Sequence, residues 1–155
     1  MLVVSANAVD AQLNYGIQGA MITSLEETGS LGALDGQFGV GGRVGFNAPL
    51  FPIGVYGSGT YYFPDDAVLA DLRYYTLSLG ARLGIPLVII QPYAVGGWQW
   101  RTSKVADFDS STESGAFVGL GVALKKLFVE GSIEFNDEIP TIDTTPVVIK
   151  AGFTF

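Results

Sequence analysis

Arg43, Arg82, Glu130, Glu134 and Lys150 fall on the inward polar faces of alternating segments. A charge enclosed by protein is costly unless it is paired. These five, with Gln18, Gln37 and Tyr56, are therefore expected to form a ladder of salt bridges and hydrogen bonds. Such a ladder has two readings: a gated or proton-conducting path, or a structural plug that keeps a narrow interior closed. Nothing in the sequence marks an open pore, so the plug is the preferred reading. Other chemistry is excluded by residue type. The chain has no histidine and no cysteine, which removes Ser-His-Asp and Cys-His catalysis, disulfides and cysteine-zinc sites. No catalytic residue, cofactor site or metal site is assigned.

Weaker candidates each have a plainer explanation. Asp65-Asp66 and Asp107-Phe108-Asp109 offer oxygen ligands to a hard cation, but neither matches a defined calcium loop. A solvated acidic rim accounts for them. The glycines at 39–42 and 119–121 lie inside alternating strands with no following helix or lysine, so they are not phosphate loops. They let a narrow barrel curve and leave room for opposing side chains. Trp98 and Trp100 would serve as a carbohydrate platform or, in the preferred reading, as part of an aromatic girdle.

The elements that position these residues repeat with period two. Leu13, Tyr15, Ile17, Gly19 and Met21 share one face, and Asn14, Gly16, Gln18 and Ala20 the other. The same alternation recurs in seven further segments, centred near residues 42, 58, 79, 95, 120, 131 and 151. The fifth is the least regular; its Gln91, Gln99 and Arg101 share one parity, assigned inward. Segments of about 9–13 residues match what a tilted strand needs to cross a bilayer. Short connections (47–52, 84–87, 125–126) alternate with long ones (24–36, 64–71, 102–114, 136–145), so all long loops gather at one end of an up-and-down barrel. The long loops hold twelve of the fifteen acidic residues.

The apolar faces carry no charge, whereas the polar, glycine-rich faces are the ones to be enclosed. A bilayer explains that inversion and water does not. Composition agrees. Mean hydropathy is +0.38, with 48% hydrophobic and 15% charged residues, which excludes disorder. Yet apolar and glycine runs such as 84–90 are far too short for a spanning helix of roughly 18 residues. A net charge of −7 argues against nucleic acid as a partner. Aromatic residues are expected in two belts. Tyr15, Tyr61, Phe63, Tyr75, Trp98 and Trp100 are assigned to the loop side, and Phe46, Phe51, Phe153 and Phe155 to the turn side.

The chain ends in Ile149-Lys150-Ala151-Gly152-Phe153-Thr154-Phe155, and 91–97 reads Gln-Pro-Tyr-Ala-Val-Gly-Gly. With these residues the chain resembles the small eight-stranded outer-membrane β-barrels of the OmpA, OmpX and opacity-protein kind. Gly152 stands later than the family's usual glycine. The resemblance covers residues 12–155. It implies a location in a bacterial outer membrane, contact with its lipid, and recognition of Phe153 and Phe155 by the barrel-assembly machinery. The barrel enzymes of that membrane, palmitoyl transferases and omptin-like proteases, use a histidine that this chain lacks.

The sequence therefore predicts an all-β, eight-stranded antiparallel transmembrane barrel over 12–155. Its role is structural or interactive, with four acidic loops outside and a lumen closed by polar side chains. Residues 1–11 form either an N-terminal arm or a signal-peptide remnant; they end in small residues but lack a basic start. Two alternatives remain: self-association into oligomers or filaments through exposed strands and the arm, and a soluble lipocalin-like carrier.

Overall fold

The computed structural model describes residues 12–24, 36–48, 52–63, 73–85, 87, 89–104, 110–136 and 146–155. Eight strands follow one another: β1 Gln12–Ser24, β2 Gln37–Asn47, β3 Ile53–Tyr62, β4 Arg73–Gly84, β5 Ile90–Lys104, β6 Ser111–Leu124, β7 Leu127–Asn136 and β8 Pro146–Thr154. Each pairs antiparallel with its neighbour in sequence, and β8 returns to β1. The closing ladder runs from Gly16 opposite Thr154 to Ser24 opposite Pro146. Beyond it, the Phe155 N–H donates to the Tyr15 carbonyl at 2.7 Å. Closure leaves no free strand edge within the wall.

Alternation decides which side chains face out. Leu77, Leu79, Leu120, Val122, Ile133 and Ile149 are all exposed, Leu120 at 73%. The neighbouring positions Tyr74, Thr76, Ser78, Gln99, Phe117, Ser132 and Val148 are buried. A water-soluble carrier would reverse this arrangement. Here the apolar residues form the outer surface and the polar ones fill the interior, which fits lipid outside.

Two expectations need correcting. Tyr15 stands at the turn side, not the loop side. β1 starts from the turn side, so its fourth residue lies near that end, where Tyr15 stacks on Phe155 with ring centroids 5.7 Å apart. The third long connection is also shorter than 102–114. β5 and β6 continue past its expected ends because Thr102 pairs with Thr112 and Ser103 with Ser111, and the two threonine hydroxyls meet at 3.1 Å. Glu113 consequently belongs to β6, opposite Arg101. Residues 1–11, Phe51 and the other eleven acidic loop residues, Asp65-Asp66 and Asp107 to Asp109 among them, lie outside the described residues.

Outward parity predicts the effect of a lipid-facing charge. Leu79→Arg or Leu120→Arg is expected to lower the unfolding free energy in bilayers by roughly 2–4 kcal/mol, measured by urea titration. An arginine tolerated at both positions would contradict a lipid-facing wall.

Candidate functional site

An eight-stranded barrel is only wide enough for side chains to fill it. The filling is made by large inward residues set against glycine. A Cβ on Gly121 would stand 2.3 Å from the Tyr93 ring, and one on Gly152 would stand 2.8 Å from Phe128. These glycines are therefore the spaces that Tyr93 and Phe128 occupy. Two apolar clusters result. Tyr56, Tyr93, Val95, Phe117, Ala123 and Phe128 fill the turn half, while Ala20, Ile22, Tyr62, Tyr74 and Val148 fill the loop half.

The charges are set among these clusters. In the turn half, Arg43 Nη2 donates to Glu130 Oε2 at 2.8 Å, and the Tyr93 hydroxyl donates to the same oxygen at 3.3 Å. The Arg43 guanidinium carbon lies 4.6 Å from the Tyr56 ring centroid and 4.2 Å from that of Phe128. Each aromatic face attracts the cation. In the loop half, Arg101 and Glu134 form a second buried ion pair, with the guanidinium 5.2 Å from the Tyr74 ring. Tyr74 in turn packs on Tyr62, centroids 5.1 Å apart. Gln18 Nε2 donates to Thr60 Oγ1 at 2.9 Å.

Both pairs lie inside the lumen: one joins β2 to β7, and the other joins β5 to β7 over the inner face of β6. Their strength depends on the surrounding low dielectric, and each member would be expensive to leave alone.

The ladder differs from its expected form in three ways. Arg82 makes no ion pair among the described residues; it is half-buried, and its guanidinium lies 5.2 Å from the Tyr93 ring. Tyr93 already bonds Glu130, so the ring stands in the place of a direct Arg82 contact. Lys150 is opposite Glu130 in the β7–β8 ladder and is 3% exposed, but it too makes no ion pair within 4.0 Å among the described residues. Its ammonium faces the Phe117 ring at 5.7 Å. Arg101, not Arg82 or Lys150, is the partner of Glu134. Its inward parity was readable beside Gln99, but the residue it meets across the barrel was not. Tyr93 was also missed as a ligand of Glu130; its position opposite Gly121 in the β5–β6 ladder is the relevant signal.

The girdle residues Tyr61, Tyr75, Trp98, Trp100 and Phe153 face outward and are exposed, as are Tyr15 and Phe155. Tyr61, Tyr75 and Trp100 lie in the loop-ward parts of β3, β4 and β5, while Tyr15, Phe153 and Phe155 lie at the turn end. Among the described residues, no group of three or more acidic, histidine or cysteine side chains forms a metal site.

A closed eight-strand ladder with its polar face inside and its apolar face outside decides the architecture. It is the fold of the small outer-membrane β-barrels. The crystal structure of Neisserial surface protein A matches with a TM-score of 0.69 and 15% identity, over 92% of this chain and 95% of that one. The N-terminal β-barrel domain of Pseudomonas aeruginosa OprF matches with a TM-score of 0.59 and 17% identity, over 94% of this chain and 99% of that one. No protein-family model matches the chain, and no curated protein matches it in sequence. The shared fold is thus carried by alternation and closure rather than by particular residues.

Removing one partner of the central pair should be costly. Glu130→Gln is expected to lower the unfolding free energy by roughly 3–5 kcal/mol. Replacing both partners, Arg43→Met with Glu130→Leu, should cost less than Glu130→Gln alone, because Arg43 is then not left buried without its carboxylate. Urea unfolding of the three variants in one lipid checks both outcomes.

Proposed function

We propose that the chain is a resident barrel of a bacterial outer membrane, with a structural and interactive role rather than a catalytic or conductive one. The observation that carries this is the two ion pairs buried in the lumen, Arg43–Glu130 and Arg101–Glu134, packed against aromatic rings. Side chains held this way fill the interior and leave the loop end as the surface available to partners. The acidic loop sequences would give that surface a negative character. One of the matching barrels is itself named a surface protein. The girdle of Tyr15, Tyr61, Tyr75, Trp98, Trp100, Phe153 and Phe155 would hold the wall between the two interfaces. Outward-facing Phe153 and Phe155, at the end of β8, would be the residues read by the assembly machinery during insertion. Absence of histidine and cysteine supports a non-enzymatic role.

The test combines two measurements on the full chain. The purified protein should need detergent and migrate differently before and after boiling, as a stable barrel does. In planar bilayers it should give no steady conductance. A regular channel signal, abolished by mutating Glu130 or Glu134, would overturn the plug and establish a conducting path.

A further inference from the structure

We propose that the tip of the β6–β7 hairpin binds one anionic diacyl phospholipid of the turn-side leaflet, its phosphate held by Lys125 and Lys126 and its two chains lying in the grooves beside the hairpin. This inference rests on the barrel being a membrane protein. The ridge between the grooves is the outward pair Val122 and Val129, which face each other across the hairpin. Leu124 and Leu127 form the next outward pair, and the two lysines follow as the turn.

One groove, of about 880 Å³, runs beside Leu127, Phe153 and Ile17 over a floor of Ala151 and Gly19. The other, of about 610 Å³, runs beside Leu83, Pro92 and Leu120 over a floor of Ala94 and Gly131. Both floors are low because of small residues that the barrel's own packing does not demand. A Cβ on Gly131 would meet nothing within 4 Å, and one on Gly19 would meet only backbone oxygens at 3.9 Å. Inward glycines such as Gly119, Gly121 and Gly152, by contrast, have no such space. Glycine weakens a strand interior and often marks a close approach by another group. On a lipid-facing wall, the group that approaches is an acyl chain.

Charge complementarity identifies the headgroup. The turn sequences 48–52, 85–89 and 125–126 contain no charged residue except the two lysines, in a chain of net charge −7 whose acidic residues gather in the opposite loops. Both lysines are exposed. Lys125 also holds a φ of 56°, the left-handed region where glycine or asparagine costs less. A lysine in an unfavourable backbone state, next to the Leu124 and Leu127 that line the larger groove, points to a use for its side chain.

The test is native mass spectrometry of the full chain released from detergent, with phosphatidylglycerol and phosphatidylcholine of identical acyl chains as probes. The wild type is expected to retain phosphatidylglycerol preferentially. K126Q should cut that preference by about fivefold, the effect of one lysine near an anionic surface. The K125G/K126Q variant should abolish it; glycine suits the positive φ, so the turn remains. Gly19→Leu with Gly131→Leu, which fills the floors and keeps both lysines, should weaken retention of both lipids. Equal retention of the two lipids by the wild type, or an unchanged preference in K125G/K126Q, would overturn the site. Heat-modifiable folding in pure phosphatidylcholine separates this outcome from failure of the membrane reading, which would appear as no folding in that lipid.

Discussion

The wall must satisfy every backbone N–H and C=O within itself, because hydrocarbon offers no hydrogen-bond partner. Almost everything else in the structure depends on that constraint. It requires β8 to return to β1, and the ladder from Gly16–Thr154 to Ser24–Pro146 supplies the return. Once the sheet is closed, the parity of each strand is fixed: a shift of one residue would move every leucine of the outer wall inside. Closure with eight strands also fixes a narrow interior. The inward positions then hold either a large side chain or the space for one.

That division explains the placement of glycine. Gly121 and Gly152 receive Tyr93 and Phe128, and those aromatics receive cations in turn. Arg43 is held by two rings and one carboxylate, and Arg101 by one ring and one carboxylate. Polar interiors are more often water-filled in wide barrels. Here the rings pack against the guanidinium partners of Glu130 and Glu134 and make them part of the filling.

Much of the fold was legible because its signal is repetitive. Eight alternating stretches, the fifth less regular than the rest, with short and long connections in turn, give strand number, order and facing without any long-range information. The ends of β5 and β6 were not legible: Thr102, Ser103, Ser111 and Thr112 have the composition of a loop, and they pair only because the strands beneath them already do. The residue type of Tyr15 suits either interface, and strand direction alone sets it at the turn end. The lumen was readable in part. Parity tells that Arg43, Arg101, Glu130 and Glu134 point inward. Which of them meet depends on stagger and on the rings between them, so Arg82 rests on Tyr93 while Arg101 reaches Glu134.

The Arg43–Glu130 bond joins residues 87 positions apart in the chain. It links the second strand to the seventh, and no local segment can make it. Arg43 and Glu130 therefore stay apart until β2 and β7 belong to one ring. An open sheet missing β7 and β8 would present Arg43 and Arg101 without either carboxylate, on the very surface that must not meet hydrocarbon. Contacts of such long range are slow to form and are rewarded late. A polar lumen of this kind consequently ties the burial of its charges to completion of the ring: strands added one at a time would leave Arg43 and Arg101 without their carboxylates.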